Sequence, residues 1–236
     1  MSAGEARADR PVRVSALIPA LNEAATIAAT VRAVQGTGLV DEVIVIDDAS
    51  VDGTAELAAA AGARVIRRAH RGGKGEALNA GLAAARGEIV VAVDGDTGES
   101  AGEVRHLITP VLNGQADLTI ARFPRARRRG GFGLVKGLAR WGIHRFTGLL
   151  VESPLSGQRA MRREVIEALG GFASGYGVEV GMTIDAARRG YRVREVPVAM
   201  AHRETGRDLA GFLHRGRQFL HVARELLRRT GGGSGW

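Results

Sequence analysis

Two aspartates separated by a single glycine could hold a divalent cation against a diphosphate. Asp94 and Asp96 come directly after the apolar run at residues 89–93, which is typical of a buried strand. Carboxylates two residues apart at a strand end can turn toward one cation, and Gly95 between them lets a ligand approach closely. A surface turn rich in aspartate and glycine is the alternative explanation. The apolar run favours a metal–diphosphate site, because a solvated turn does not require it.

A lysine among glycines could add a positive charge to the same site. The sequence Gly72-Gly73-Lys74-Gly75 lets the backbone pass near phosphate oxygens, and the ammonium group can pair with them. A loop lysine without a ligand is the alternative. The spacing is not that of a P-loop, which disfavours a kinase or GTPase. No Gly-x-Gly-x-x-Gly follows the first predicted strand, which counts against a nicotinamide dehydrogenase.

The elements that must position these motifs alternate between strand and helix. Short β-branched or aliphatic runs predict strands at residues 12–18, 42–47, 63–67 and 88–93. Helical spacing predicts helices at residues 23–35, 54–61 and 74–85. Asn22 is the expected N-cap of the first of these helices. The alternation predicts an open α/β sheet, whose ligands bind beyond the carboxyl ends of the strands.

After Asp96 the pattern becomes less regular. It predicts helices at residues 99–112, 134–149, 164–169 and 178–189, and strands at 117–121, 158–161 and 191–196. The arginine- and glycine-rich residues 122–133 are expected to form a mobile loop. A long basic helix is expected at 208–229, and a flexible tail at 230–236. We therefore expect a single domain over residues 1–229, with a first half at about 12–98 and a second half at about 99–206.

The composition excludes several classes of protein. The 236 residues are 45% hydrophobic and 25% charged, which suits one domain with a sizeable core. The absence of cysteine excludes zinc–thiolate sites, iron–sulfur clusters and thiol catalysis. The net charge of +8 favours anionic partners, but 4% aromatic residues are too few for nucleic-acid stacking platforms. No run of ~18 uncharged apolar residues occurs, so we expect a cytoplasmic protein without a membrane span.

Taken in order, the motifs resemble family 2-type glycosyltransferases over roughly residues 12–229. The first half carries Pro-Ala-Leu-Asn-Glu at 19–23, Asp-Asp at 47–48, Gly-Lys-Gly-Glu-Ala-Leu at 73–78 and Asp-x-Asp at 94–96. The second half carries Pro-Leu-Ser-Gly-Gln-Arg at 154–159, Gly-Tyr-Gly-Val-Glu-Val-Gly at 175–181 and Ala-His-Arg at 201–203. Glucosyl-3-phosphoglycerate synthases and polyprenyl-phosphate sugar synthases are the two most similar branches. The resemblance implies a glycosyltransferase A fold, with a Rossmann-like, mostly parallel sheet flanked by helices and a helical C-terminal extension.

The resemblance also implies a UDP-sugar donor, with UDP-glucose as the expected sugar nucleotide, and Mg²⁺ or Mn²⁺ as cofactor. The ion would be held by Asp96 and His202 and would offset charge on the departing nucleotide. An exposed histidine in a basic turn is the alternative for His202. The implied nucleotide-sugar-binding residues are Pro19, Ala20, Leu21, Asn22, Glu23, Asp48, Ser50, Gly73, Lys74, Asp94, Gly95 and Asp96.

By the same resemblance, Leu155 borders the reacting sugar and Glu179 lies near the sugar or the acceptor; with Asp96 they form the expected catalytic set. The candidate acceptor-binding residues are Arg122, Lys136, Arg159, Tyr176 and Arg203. Met200 and Thr205 stand where the phosphoglycerate branch carries arginines, which argues against phosphoglycerate as acceptor. A phosphorylated small molecule and a polyprenyl phosphate both remain as anionic acceptors.

Several alternatives stay open at this point. A noncatalytic nucleotide-sugar-binding protein would share the donor motifs, and a sugar-1-phosphate nucleotidyltransferase would share the α/β layout but lacks its Gly-Thr-Arg signature here. The basic closing helix could lie on the inner face of an anionic membrane, pack in a homodimer or only cover the core. Retention or inversion at the anomeric carbon is not determined by these motifs.

Overall fold

The computed structural model describes residues 13–124, 133–173 and 178–200, together with 222, 223, 226, 227 and 229. Its strands are β1 (Val14–Ala20), β2 (Glu42–Asp47), β3 (Arg64–Arg67), β4 (Ile89–Ala92), β5 (Leu118–Arg122), β6 (Arg159–Arg162) and β7 (Val193–Pro197). Its α-helices are α1 (Ile27–Gln35), α2 (Thr54–Ala60), α3 (Lys74–Ala84), α4 (Val104–Leu112), α5 (Gly133–Thr147), α6 (Arg163–Ala168) and α7 (Val178–Arg188). The strands form one sheet in the order β3-β2-β1-β4-β6-β5-β7.

Strands β1 to β4 form a parallel block that is covered by helices on both faces. The short aliphatic runs of β1, β2 and β4 suit doubly covered strands, whereas the edge strand β3 is partly exposed. On β1, Ala16 and Ile18 belong to the apolar cluster that contains Ile27 of α1, whereas Leu17 belongs to the cluster that contains Leu78 of α3. Helices α1 and α3 therefore cover opposite faces of the sheet, and the strands between them are fixed in register.

Strand β6 runs antiparallel to both of its neighbours, and this reversal determines which loop reaches the edge of the parallel block. Arg159, the first residue of β6, pairs with Ala92 at the end of β4 and with Ile120 of β5. The loop at residues 154–158 therefore lies at the carboxyl end of β4. Strand β7 pairs in parallel with β5, so the sheet is mixed but mostly parallel.

A third apolar cluster joins α5 to α7 and to the C-terminal region. Its buried members are Val135, Ala139, Ile143, Val151, Val180, Ile184, Val222 and Leu226. Gly142 allows this packing, because a Cβ there would lie 2.3 Å from Leu226 Cδ2. Among the described residues, no helix is both long enough and apolar enough to span a membrane.

The predicted fold class is confirmed, with corrections at two places. Strand β2 has the predicted bounds. The helix predicted to start at Glu23 begins at Ile27 instead, and Thr26 rather than Asn22 occupies the N-cap position, without a side-chain cap hydrogen bond. The single helix predicted at 99–112 is a 3-10 helix at Gly95–Glu103 followed by α4.

Some predictions fall outside the described residues. Most of the loop predicted at 122–133 and of the closing helix predicted at 208–229 is not described, and neither are Tyr176, His202 and Arg203. The roles of these residues, the division into two halves with a tail, and the cytoplasmic location stay predictions.

Candidate functional site

The motifs that follow β1, β2 and β4 converge on a cavity of about 300 Å³, here called the edge cavity. It is lined by Pro19, Ala20, Leu21, Glu23, Asp48, Arg71, Gly73, Lys74, Ala77, Asp94, Gly95 and Asp96. Ten of the twelve predicted nucleotide-sugar residues are in this lining, and only Asn22 and Ser50 are not. A volume near 300 Å³ is at the lower end of the range for small-molecule sites.

Asn22 and Ser50 join two loops beside the edge cavity. Asn22 adopts a left-handed backbone conformation with a φ of 56°. Its backbone N–H donates to Ser50 Oγ at 2.9 Å, and its side-chain Oδ1 accepts from Val51 N at 3.0 Å. Sequence reasoning missed two further hydrogen bonds between these loops. Glu23 N donates to Thr54 Oγ1 at 2.8 Å, and Ala24 N donates to Asp52 Oδ2 at 3.1 Å. These bonds fix the segment that carries Pro19 to Glu23 against the segment after β2.

Asp48 anchors the glycine loop that precedes α3. Its carboxylate is buried and accepts from Gly72 N at 3.0 Å and from Gly73 N at 2.7 Å, and it forms an ion pair with Arg68. Gly73 has a φ of +88°, which side-chain-bearing residues rarely adopt. The sequence did not reveal the contribution of Arg68. Asp48 therefore places the backbone from which Lys74 extends.

Lys74 reaches across the edge cavity to Asp94, with which it forms an ion pair. Desolvation works against the charged ammonium, but the carboxylates of Asp94, Glu179 and Asp96 outweigh it and raise the pKa of Lys74. The side chain of Lys74 is 39% exposed and lines the edge cavity, so a ligand in the cavity would contact it. Lys74 therefore provides a permanent positive charge in the cavity at neutral pH.

The Asp94-Gly95-Asp96 segment is held by its backbone, which leaves one carboxylate free for a ligand. Asp94 N donates to Gln158 Oε1 at 3.2 Å, and the carbonyl oxygen of Gly95 accepts from Thr30 Oγ1 at 2.9 Å. The side chain of Asp96 lines the cavity and makes no hydrogen bond or ion pair within the described part of the chain. Its oxygens are available to a cation.

The donor chemistry of this segment fits a hard divalent cation. Mg²⁺ in nucleotide sites is commonly bound by one or two carboxylates together with substrate phosphates and waters, and Mn²⁺ accepts the same oxygen ligands. The described residues contain no group of three or more acidic or imidazole side chains that could enclose a metal on their own. Asp96 is therefore a candidate single ligand, and His202 stays a predicted one.

The loop at residues 154–158 closes one side of the cavity. A Cβ on Gly157 would lie 2.3 Å from Lys74 Nζ, so the backbone of this loop passes directly beside the ammonium group. Leu155 is half-buried and packs against the third apolar cluster. The hydroxyl of Ser156 is buried without a hydrogen-bond partner among the described residues. Gly157 and Gln158 were not among the predicted site residues, although they lie within a quoted motif.

Arg159 supports this loop from inside the protein. Only 2% of the residue is exposed. Its Nε donates to the carbonyl of Ser156 at 2.9 Å, and its Nη1 donates to Thr183 Oγ1 at 3.0 Å. Burial lowers the pKa of Arg159 to about 10, although Glu179 and Glu195 favour its charged form. The prediction that Arg159 contacts an acceptor is therefore corrected: its guanidinium group points into the protein and positions the loop.

Glu179 connects the edge cavity to α7. It lies half-buried in the first turn of that helix, where the helix N-terminus favours a negative charge. Thr183 Oγ1 donates to the carbonyl oxygen of Glu179 at 2.7 Å, and the same threonine accepts from Arg159. The carboxylate also influences Lys74 electrostatically. Glu179 is thus near the cavity, as its predicted role requires.

The other described acceptor candidates lie apart from the edge cavity. Arg122 forms an ion pair with Glu152 at 3.3 Å and lines a second cavity of about 590 Å³. Lys136 is exposed on α5 and lines neither cavity among the described residues. None of the three acceptor candidates that the structure describes, Arg122, Lys136 and Arg159, lines the edge cavity.

Several proteins with similar sequences are glycosyltransferases. The glucosyl-3-phosphoglycerate synthase of Mycobacterium tuberculosis is 38% identical over 211 residues, which cover 79% of this chain and 64% of that relative. The chain thus spans slightly less than two thirds of that relative's length. The undecaprenyl-phosphate mannosyltransferase of Micrococcus luteus is 30% identical over 215 residues, which cover 83% of this chain and 86% of the relative.

Solved structures and a family model agree with these relatives. The crystal structure of the M. tuberculosis synthase with Mn²⁺, uridine diphosphate and phosphoglyceric acid matches with a TM-score of 0.77 and 35% identity. The match covers 95% of this chain and 80% of that one. Residues 15–170 match the model of glycosyl transferase family 2. With the motifs gathered at the edge cavity, these matches establish that the chain belongs to glycosyl transferase family 2.

Proposed function

We propose that the protein is a metal-dependent glycosyltransferase that moves a sugar, with glucose as the first candidate, from a UDP-sugar to a phosphorylated acceptor. The observation that carries this proposal is the convergence of Lys74, Asp94 and Asp96 in the edge cavity with the segment at residues 19–23. The synthase of M. tuberculosis has been solved with UDP-glucose, Mn²⁺ and phosphoglyceric acid, which supports the same donor and cation here.

In this proposal Asp96, joined by His202 as the resemblance implies, holds Mg²⁺ or Mn²⁺ beside the diphosphate. When bound, the ion offsets the negative charge that develops on the departing nucleotide. Lys74 adds a second positive charge to the phosphates, and its raised pKa keeps it protonated throughout the neutral range. Asp48 acts indirectly, because it holds the glycine loop from which Lys74 extends.

Positioning accounts for the remaining assigned roles. The segment at residues 19–23 forms the wall of the cavity for the nucleoside, and the loop at 154–158 limits the space beside Lys74. Glu179 faces the sugar or the acceptor. A phosphate acceptor is already ionised at neutral pH and needs no general base, whereas a hydroxyl acceptor benefits from one. The need for the Glu179 carboxylate therefore depends on the acceptor atom that attacks.

The decisive experiment measures UDP release and product mass with purified protein, UDP-glucose and Mg²⁺ or Mn²⁺. The acceptors supplied are 3-phosphoglycerate and undecaprenyl phosphate in separate reactions. Asp96→Asn keeps the shape of the side chain but removes its charge, and we expect it to lower kcat/KM at least about 100-fold. Glu99→Gln is the matched control, since Glu99 is exposed and does not line the cavity.

Three outcomes would contradict the proposal. Binding of UDP-glucose without turnover on either acceptor, or on a cell extract, would favour a noncatalytic nucleotide-sugar-binding protein. Release of pyrophosphate from UTP and glucose 1-phosphate in a parallel reaction, without release of UDP from UDP-glucose, would favour a nucleotidyltransferase. Equal activity of the Asp96→Asn variant and the unchanged protein would exclude the assigned metal site.

A further inference from the structure

Helix α5 presents an outward face that combines apolar and basic side chains. Its inner face packs in the third apolar cluster, so the helix is anchored to α7 and to the C-terminal region. On the outer side, Leu134 is 81% exposed and Trp141 is 57% exposed. Leu150, just beyond the helix, is 83% exposed. These are three of the six large hydrophobic side chains that the described residues expose.

The helical spacing arranges this face in two adjacent rows. Leu134, Trp141 and Arg145 are seven and four residues apart and form one row. Lys136, Arg140 and His144 are spaced by four and form the neighbouring row. Within the described residues, none of the lysine and arginine side chains of α5 forms an ion pair. We call Leu134, Lys136, Arg140, Trp141 and Arg145 the outer face.

The charge of the whole protein is concentrated in the part of the sequence that contains this face. Between residues 118 and 151 the sequence has eight Lys and Arg residues and no Asp or Glu. The chain as a whole has 33 basic and 25 acidic residues, so this stretch alone accounts for the net charge of +8 and the rest of the chain is balanced. The positive charge is therefore unevenly distributed along the sequence, and residues 118–151 are a pronounced concentration of it beside the basic stretch at 208–229.

We propose that the outer face of α5 binds the surface of an anionic lipid bilayer. An interfacial helix places tryptophan and leucine at the boundary between headgroups and acyl chains, while its lysine and arginine side chains contact lipid phosphates. The outer face has both components side by side. The three basic side chains of the outer face, Lys136, Arg140 and Arg145, are complementary in charge to a negatively charged surface.

Two other occupants of this face are less compatible with its chemistry. A symmetric contact with a second copy would place the same basic rows against each other, and like charges repel across such an interface. A nucleic acid would pair with the basic row but would leave the exposed leucines without apolar partners, and only one aromatic side chain is available for stacking. A bilayer offers acyl chains to the apolar side chains of the face and phosphate groups to its basic side chains.

Co-sedimentation of the full chain with lipid vesicles tests the proposal independently of catalysis. We expect binding to vesicles of phosphatidylglycerol and phosphatidylcholine in equal amounts, and none to phosphatidylcholine alone. Raising the salt from 0.1 to 1 M shortens the Debye length from about 10 to about 3 Å, and we expect the affinity to fall at least about tenfold. In the Trp236→Phe variant, the remaining Trp141 should shift its fluorescence to shorter wavelength when vesicles are added.

Matched variants distinguish vesicle binding through the outer face from binding that depends only on the net charge of the protein. Lys136→Glu combined with Arg140→Glu should weaken vesicle binding at least about tenfold, and Leu134→Ser combined with Trp141→Ser should also weaken it. Arg32→Glu combined with Arg194→Glu makes the same change of net charge on exposed residues elsewhere and should retain most of the binding. Circular dichroism checks that each variant is folded.

The proposal is overturned if the protein does not bind anionic vesicles or binds neutral vesicles equally well. It is also overturned if the control substitutions at Arg32 and Arg194 weaken binding as much as the substitutions at Lys136 and Arg140. It is also overturned if changes on the outer face dissociate a dimer in the absence of lipid, because a second copy then covers the face. Stronger binding to RNA than to vesicles through the same residues would assign the face to nucleic acid instead.

Discussion

The edge cavity differs from the region of the three described acceptor candidates, Arg122, Lys136 and Arg159, here called the acceptor side, in how its residues are brought together. Ten of the twelve predicted nucleotide-sugar residues line one cavity. On the acceptor side, Arg159 is buried, Arg122 lines a second cavity and Lys136 is exposed on α5. The parallel strands place the predicted nucleotide-sugar residues close together, because the carboxyl ends of these strands lie at one edge of the sheet. No such geometric rule applies to residues after Asp96, where strand direction and helix type change.

Removing the charge of each of the two lysines in turn is the strongest test of the difference between the edge cavity and the acceptor side. Lys74→Met removes the ammonium group from the edge cavity and leaves Asp94 without its ion-pair partner. We expect kcat/KM for the UDP-sugar to fall about 100-fold, by loss of a charge-assisted phosphate contact. Lys136→Met is the same change on the acceptor side and should leave the dissociation constant of UDP within about twofold. Calorimetric titration with UDP and steady-state kinetics measure both.

The pH dependence of Lys74 gives a further check on the same residue. Its folded-state pKa is raised, so the charged form persists past the ordinary pKa of lysine and is lost only as the pH rises above that value. UDP binding should therefore show no loss attributable to Lys74 between pH 7 and pH 9. A steep decline in that interval that is absent from Lys74→Met would mean that the neighbouring carboxylates do not stabilise the ammonium group.

Much of the fold and of the edge cavity is predictable because it depends on local patterns. Strand β2 has the predicted bounds, and its final carboxylates lie at the sheet edge as parallel pairing requires. The antiparallel direction of β6 is not visible in the sequence of a four-residue strand, so sequence reasoning could not place Gly157 beside Lys74. Arg159 was misassigned because an arginine is seldom fully buried, whereas only 2% of Arg159 is exposed.

Gly157→Ala tests whether a segment from the second half of the chain shapes the edge cavity. The added Cβ would lie 2.3 Å from Lys74 Nζ, and the flexible lysine side chain would move away from Asp94. We expect UDP to bind about tenfold more weakly while the fold is retained. Gly137→Ala, on the exposed part of α5 with no heavy atom within 4 Å of its Cβ, is the matched control. If both variants bind UDP equally well, the loop at 154–158 does not constrain the donor.

The smallest expected effect concerns the opposite end of β5, far from the edge where the motifs meet. Asp117 accepts from Arg192 Nε at 3.0 Å and Nη2 at 2.8 Å, and it also forms an ion pair with Arg162. The hydrogen bonds from Arg192 hold the pKa of Asp117 down at about 2. Its stabilising contribution is therefore complete above the unfolded pKa of about 3.9 and is lost as the pH falls through about 2.

Asp117→Asn should lower the free energy of unfolding by about 1 kcal/mol at pH 7, because the arginine partners are partly exposed and the pair is screened by solvent. The difference from the unchanged protein should shrink between pH 4 and pH 2, and UDP binding should not change. Differential scanning calorimetry measures the first effect. Because Asp117 joins β5 to its two neighbours in the sheet, a single transition that moves by about 2–4 °C would agree with one cooperative domain. Two transitions, of which only one moves, would instead separate the acceptor side from the edge cavity as an independent folding unit.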